Sequence, residues 1–195
     1  MSSRGRISSL LALALAAVLG LSACGDSHTK VTGGTYAGES GANAPYLDVG
    51  PLVYQAQLSR ELNPYDIEDA SYLAGLTPAQ RALSSSQEWF VVFLQVFNNG
   101  SKPAPASTNL TIRDTQGSVY SPVLPNQTNL YAFRGGDVPA ESRLPLPDST
   151  AATGPTQGAM LLYKIKTASL SNRPLQLTIV NPGNSAQKAT AELDV

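Results

Sequence analysis

The chain has 195 residues, of which 13 are basic and 14 are acidic, and its formal net charge is −1. This length fits a single domain, and the near-neutral charge argues against nucleic acid, or an anionic surface, as a partner attracted by charge alone. Charged residues make up only 14%, whereas the chain holds 16 glycines and 14 prolines. That composition is typical of a loop-rich β domain rather than of a helical bundle.

The first 23 residues have the order of an export signal. Arg4 and Arg6 give a positive start, residues 10–19 are apolar and uncharged, and small residues precede Cys24. The apolar run is shorter than the roughly 20 residues needed to cross a bilayer. We therefore expect residues 1–23 to be a signal peptide that is removed, and an uncleaved amino-terminal anchor is the alternative.

The segment Leu21-Ser22-Ala23-Cys24 resembles the lipobox of bacterial lipoproteins. In that family the cysteine sulfur takes a diacylglyceryl group, the chain is cut before the cysteine, and the new amino terminus is often acylated. Cys24 is the only cysteine, so no disulfide can form within the chain. The resemblance implies a lipid anchor on Cys24 at the extracytoplasmic face of the cell membrane, held stably by two or three acyl chains. A free surface thiol is the alternative.

Residues 24–50 are rich in small and polar side chains and poor in large apolar ones. Such a segment buries too little to offset its ordering entropy, so we expect a flexible tether. The only histidine, His28, lies in this tether. Ser27 and Lys30 match the spacing of the Ser-x-x-Lys catalytic motif. That pair is catalytic only on a rigid helix in a packed site, so we expect these two residues to be part of the solvated linker. The folded domain is predicted over residues 51–195.

Strand patterns recur through this domain. The predicted strands cover residues 52–58, 88–98, 110–113, 118–120, 129–133, 158–166, 175–180 and 188–195. Residues 88–98 are apolar on both alternating faces, which predicts a strand covered on both sides. The proline-rich stretch 138–155 is predicted to be a long loop, either functional or mobile. About eight short strands joined by turns imply an antiparallel two-sheet sandwich.

Two short helices are predicted between the first two strands. Asn63 can cap a helical turn that has Pro64 at its first position. Thr77 and Gln80 have the spacing of a capping box. The domain should therefore be all-β with one or two helical turns.

An acidic cluster follows the first predicted helix start. Asp66, Glu68 and Asp69 lie within four residues, and carboxylate oxygens are the ligands that Ca²⁺ prefers. We name these three side chains as a candidate calcium site. The alternative is an acidic first turn exposed to water, since the Asp-x-Asp-x-Asp-Gly order of calcium loops is absent.

A hydrophobic strand from Trp89 to Asn99, the segment 112–122 with its Asp-x-x-Gly turn, and a late apolar strand follow one another along the chain. In this order they resemble an immunoglobulin-like domain found on bacterial surface lipoproteins, and the likeness covers residues 51–195. Residues 62–66 and 172–175 resemble marks of an actinobacterial branch of that family. The resemblance implies an immunoglobulin-like β-sandwich. The family has no settled activity, so no functional residue is carried over.

Motifs of catalysis are missing from the sequence. It contains no Gly-x-Ser-x-Gly, phosphate loop or dinucleotide fingerprint, and no histidine falls in the predicted domain. We therefore expect a non-enzymatic module that docks on another envelope protein. The candidate contact residues are of types favoured at interfaces, namely Tyr65, Tyr72, Tyr131, Phe133 and Arg134. For each one the alternative is core or strand-edge packing. Other possible functions are a small-ligand carrier with an apolar pocket and an accessory subunit of a membrane complex.

Overall fold

The computed structural model describes the backbone of residues 31–36 and the whole of residues 46–193. Within these residues no helix is long and apolar enough to cross a membrane. Several predicted features lie outside the described residues, namely the signal peptide over residues 1–23, the lipobox, the lipidation site Cys24 and the lone His28.

Two β-sheets make up most of the domain. The front sheet has the order β1 (Val31–Tyr36), β12 (Lys188–Leu193), β11 (Leu175–Val180), β6 (Leu110–Arg113) and β7 (Val119–Tyr120). The back sheet has the order β10 (Ala159–Lys166), β4 (Gln87–Asn98), β3 (Leu52–Leu62) and β2 (Leu47–Val49), and β9 (Ser142–Leu144) also pairs with β4. A small third sheet joins β5 (Ala104–Ala106) to β8 (Gly136–Val138). Among these strands only β1 and β12 pair in parallel, so the predicted antiparallel sandwich is confirmed.

The main core fills the space between the two sheets. Every second side chain of β11, namely Leu175, Leu177 and Ile179, is at most 1% exposed. Phe90 and Val92 of β4 belong to the same apolar cluster from the other side. Burying a side chain of this size contributes about 1.5–3 kcal/mol, so the alternation in sequence is what holds the sheets together.

The back sheet also buries its outer face. Trp89, Val91 and Phe93 of β4 point away from the front sheet into a second apolar cluster. The short helix α1 (Ile67–Tyr72) and the segment 121–132 cover this cluster, and Leu76 and Leu83, on either side of a second short helix α2 (Pro78–Arg81), also pack against it. This arrangement confirms the prediction that residues 88–98 form a strand covered on both sides.

The sandwich has two distinct ends. At one end, which we call the entry end, Gly50 packs against the side chain of Asn181. At the other end, which we call the far end, Leu62 pairs with Trp89 as β3 finishes. Asp114, at the turn after β6, reaches the 3₁₀ helix Thr167–Ser171 at this same end. β3 runs from the entry end to the far end, and the loop after Leu62 therefore lies at the far end.

The predicted tether extends too far into the domain. Leu47 and Val49 of β2 are 0% and 2% exposed and belong to the main core. The backbone of residues 31–36 also lies along β12. These segments are short and lack a periodicity of their own, but an existing strand edge offers each of them hydrogen-bond partners. The folded part therefore begins before the predicted boundary at residue 51.

Two further predictions are wrong. Residues 129–133 form no strand and make only one isolated bridge, between Ala132 and Met160. The side chain of Asn129 explains this, because its amide donates to the Tyr72 and Ala74 carbonyls at 2.8 and 2.9 Å and fixes an irregular turn. The stretch 138–155 is not one long loop, since it contains β9 and a short helix α3 (Thr150–Thr153) and begins at the last residue of β8.

Candidate docking surface

The most exposed large apolar side chains lie in one loop at the far end of the sandwich. Tyr65 is 93% exposed and Ile67 is 91% exposed. We call residues 63–68 the knob. Single exposed apolar residues are common on protein surfaces, but two that are more than 90% exposed and only two positions apart form a feature that needs a reason.

Hydrogen bonds fix the backbone of the knob. The Asn63 side chain accepts from the Tyr65 N–H at 3.0 Å, and the Asn63 carbonyl accepts from the Asp66 N–H at 3.0 Å. Asp66 then caps α1 by accepting from the N–H groups of Glu68 and Asp69. Asn63 therefore closes a turn ahead of the helix. The residue that caps the helix is Asp66, so the prediction that Asn63 is the cap is wrong. The capping box predicted for Thr77 and Gln80 is confirmed at α2.

An ion pair supports the knob from below. Asp69 is 5% exposed and receives both terminal nitrogens of Arg60, with Nη1 to Oδ2 at 2.9 Å and Nη2 to Oδ1. The Asn63 N–H also donates to Asp69 Oδ2 at 2.8 Å. Burial raises the pKa of Asp69, but the hydrogen bonds from Arg60 and Asn63 outweigh burial and hold this pKa below its usual range. The carboxylate is thus charged at neutral pH and ties β3 to the base of the knob.

The candidate calcium ligands therefore have other partners. Asp66 is occupied by two helix N–H groups, and Asp69 by Arg60 and Asn63. In the part of the chain that the structure describes, no three acidic, histidine or cysteine side chains are arranged to hold a metal ion. Asp66, Glu68 and Asp69 do not converge on a common cation position, and two of them instead build the knob.

The other predicted contact residues lie elsewhere. Tyr72 is 1% exposed and Phe133 is 6% exposed, so both belong to the core rather than to a surface. Tyr131 is half-buried and packs edge-on against Tyr72 with ring centroids 5.0 Å apart. Arg134 is exposed, and its guanidinium donates to the carbonyls of the loop over residues 125–129. Tyr65 and Arg134 are therefore the two predicted contact residues that are exposed, and the sequence pattern does not indicate Ile67.

A buried polar network closes the hairpin between β6 and β7. Ser169 Oγ donates to Asp114 Oδ2 at 2.6 Å, and the hydroxyl of Tyr120 lies 2.6 Å from the same Oγ. The other carboxylate oxygen, Oδ1, accepts from the N–H groups of Gln116 and Ser118. Burial raises the pKa of Asp114, but these hydrogen bonds lower it further than burial raises it. Each oxygen has a structural partner, so the network clamps the 3₁₀ helix to the hairpin.

Comparison with known proteins adds little to this geometry. No protein-family model and no curated protein matches the sequence. Among solved structures, the chain is similar to the lipoprotein candidate YcdA of Bacillus subtilis at 13% identity, with a TM-score of 0.47 over 76% of this chain and 38% of that one. It is similar to the YjhA protein of Bacillus subtilis at 8% identity, with a TM-score of 0.45 over 77% and 96% of the two chains. It is also similar to an uncharacterized β-sandwich protein of Clostridium difficile at 9% identity, with a TM-score of 0.43 over 84% and 98%.

The chain thus spans 38% of the length of YcdA. At these identities and TM-scores the similarities carry no inference about activity or partners.

Proposed function

We propose that this chain is a lipid-anchored, non-enzymatic docking module at the extracytoplasmic face of the cell membrane, and that it contacts a partner protein through the knob. One observation carries the proposal: Tyr65 and Ile67 are more than 90% exposed on a segment whose turn is held by hydrogen bonds to Asn63 and Asp66. Tyrosine is one of the residue types enriched among the few that carry most of the binding energy at interfaces.

The rigidity of the knob favours binding over chance exposure. Association loses free energy when a flexible loop has to be ordered, about 0.5–1.5 kcal/mol for each immobilised side chain, and pre-organisation removes part of that loss. Here Arg60, Asp69 and Asp66 are committed to holding the loop in one conformation. A partner with an apolar pocket would meet Tyr65 and Ile67 already in place.

The position of the knob suits a protein anchored through Cys24. Seven Cα steps separate Cys24 from Val31, a span of at most about 25 Å. Val31 pairs with Thr190 in the half of β12 that lies toward the entry end. β1 is parallel to β12 and therefore runs toward the far end, so the chain enters this sheet from the side of the entry end. Val53 and Leu62 are nine steps apart along β3, which separates the entry end from the knob by about 30 Å. In the proposed arrangement the entry end faces the lipid and the knob faces other envelope proteins.

Site-specific photo-crosslinking in intact cells tests the docking role. A photoreactive amino acid replaces Tyr65 in the full chain, and the control places it at Gln176, on the outer face of the front sheet. We expect a discrete adduct from position 65 and none from position 176, and we expect Ile67→Ser to weaken the adduct. If position 65 gives no adduct, or both positions give the same adducts, the knob is not a docking site.

Labelling with a radioactive fatty acid in intact cells tests the anchor separately. Cys24→Ala removes the only cysteine, so the protein should no longer incorporate the label. Ser27→Ala, three residues along the same segment, is the matched control and should incorporate the label as the unaltered protein does. A Cys24→Ala protein that still carries the label would contradict lipid attachment at Cys24. An integral membrane protein as the cross-linked partner would make this chain an accessory subunit of a membrane complex.

A further inference from the structure

A second feature, independent of the knob, is a cavity of about 180 Å³ at the open side of the sandwich. Leu110 of β6 lies on its front wall and Leu161 of β10 on its back wall. β10 is the last strand of the back sheet, and β7 pairs with β6 only at Ile112 and Arg113, so Leu110 lies beyond the end of that pairing. The sheets separate here, and the chain over residues 122–124 and 133–134 crosses the opening. The cavity therefore reaches from the main core toward the surface.

The walls of this cavity are held in place by backbone hydrogen bonds. On one side the Val123 N–H donates to the Leu162 carbonyl at 2.6 Å. On the other side the Phe133 N–H donates to the Met160 carbonyl at 2.8 Å. Both crossing segments are thus bonded to β10, and the space between them remains as a pre-formed gap, which is the usual state of small-molecule sites.

Size and lining together limit what can fill the cavity. Leu110, Phe133, Met160 and Leu161 are each at most 6% exposed, so the inner wall is apolar. A closed cavity of about 150 Å³ with such a lining accepts benzene. The space is therefore suited to one aromatic ring or a branched aliphatic group, and it is too small for a long acyl chain.

One charged residue lines the cavity, and it carries an uncompensated positive charge. Arg134 donates to the carbonyls of Pro125, Asn126 and Asn129, which fix the position of its guanidinium. These acceptors are neutral, and no carboxylate in residues 46–193 forms an ion pair with Arg134. A fixed cation beside an apolar cavity favours a ligand that carries a negative charge next to an apolar body.

We propose that this cavity binds a small carboxylate with an aromatic or branched aliphatic body. The body lies among Leu110, Phe133 and Met160, and the carboxylate lies toward Arg134. Leu124, which is 52% exposed, stands at the mouth and controls entry. This site goes beyond the docking role and does not depend on it.

Benzoate is the test probe, and benzyl alcohol is an uncharged compound with the same ring and one oxygen fewer. Each compound is titrated into the full chain while the methyl signals of leucine, valine and methionine are followed by NMR. We expect benzoate to bind saturably with a dissociation constant on the order of 1 mM, typical of so small a ligand, with the largest shifts at Leu110, Met160 and Leu161. Benzyl alcohol should bind about tenfold more weakly, because it lacks the charge-assisted interaction with Arg134.

Two variants separate the cavity from the rest of the surface. Leu124→Trp fills the mouth at an exposed position, where the larger side chain does not disturb the core, and should abolish benzoate binding. Leu130→Trp is the matched control, since Leu130 is 65% exposed and does not line the cavity. That variant should bind benzoate as the unaltered protein does.

Three results would overturn the proposal. They are the absence of any saturable shift up to the solubility limit of benzoate, shifts that survive Leu124→Trp, and equal affinity for benzoate and benzyl alcohol. Equal affinity would show that the carboxylate does not contribute to binding, even if the aromatic ring occupies the cavity. None of them bears on cross-linking through Tyr65, so the two proposals fail or succeed separately.

Discussion

Removing the carboxylate under the knob should lower the free energy of unfolding by about 2–3 kcal/mol. Truncating one partner of a fully buried ion pair costs about 3–5 kcal/mol. Arg60 keeps 31% of its side chain in water, so its guanidinium can be rehydrated and this part of the cost falls to about 1–2 kcal/mol. The Asn63 N–H also loses its acceptor, which adds about 1 kcal/mol. Asp69→Ala is therefore the variant to measure.

Urea denaturation at neutral pH gives the measurement. The midpoint of Asp69→Ala should fall while the slope with denaturant stays the same, since the surface exposed on unfolding is unchanged. Glu68→Ala changes an exposed neighbour in the same helix and should alter the free energy of unfolding by less than about 0.5 kcal/mol. If the two variants unfold at the same urea concentration, the ion pair does not support the knob.

The pH dependence supplies a second check on the same residue. The pKa of Asp69 is lower in the folded protein than its ordinary value of 3.8. The carboxylate therefore contributes its full stabilisation above that ordinary value and loses it as the pH falls through the folded-state pKa. The difference between the unaltered protein and Asp69→Ala should be largest at neutral pH and shrink in strong acid. A difference that persists undiminished in strong acid would refute a charged Asp69.

Two further predictions concern the back sheet. Gly158→Ala should destabilise the protein by about 2 kcal/mol or more, because Gly158 has φ +126° and an added Cβ would lie 3.0 Å from the Leu94 nitrogen. Gly183→Ala, where the nearest atom is 3.6 Å away, is the control, and equal thermal unfolding of the two variants would contradict the strain. Tyr54→Phe should cost about 1–2 kcal/mol, since the buried Ser107 N–H donates to the Tyr54 hydroxyl at 2.8 Å. Tyr65→Phe removes only an exposed hydroxyl, and a Tyr54→Phe protein that unfolds at the same urea concentration as Tyr65→Phe would show that the buried hydrogen bond adds nothing.

The elements that the sequence predicts correctly are those with a complete local signal. β4, β10 and β11 are long enough to show their apolar pattern, and the turn at Asp114 identifies the hairpin between β6 and β7. The strands that were missed, such as β2, β5 and β9, have three residues each. A strand of three residues has no measurable period, and its existence depends on the strand that it pairs with. Only the folded arrangement of β3, β4 and β8 reveals them.

The candidate site was predicted in part, and the errors have one cause. Tyr65 and Tyr72 are the same residue type seven positions apart, and their local sequences do not show which one is exposed. The docking of α1 decides this, because it turns Tyr72 onto the back sheet and leaves Ile67 in water. The calcium site was likewise predicted only from the acidic side chains that lie close together in the sequence. Its partner Arg60 lies on β3, nine residues before Asp69, and nothing local links the two.

The outer face of the front sheet is a suitable place to attach a label. Its side chains, such as Gln176 and Glu192, form a half-exposed polar cross-strand pair that contributes nothing to the core. They lie on the opposite sheet from α1, and neither of them lines the Arg134 cavity. A fluorophore attached there would report the tilt and height of the sandwich over a bilayer while both proposed binding sites stay unobstructed.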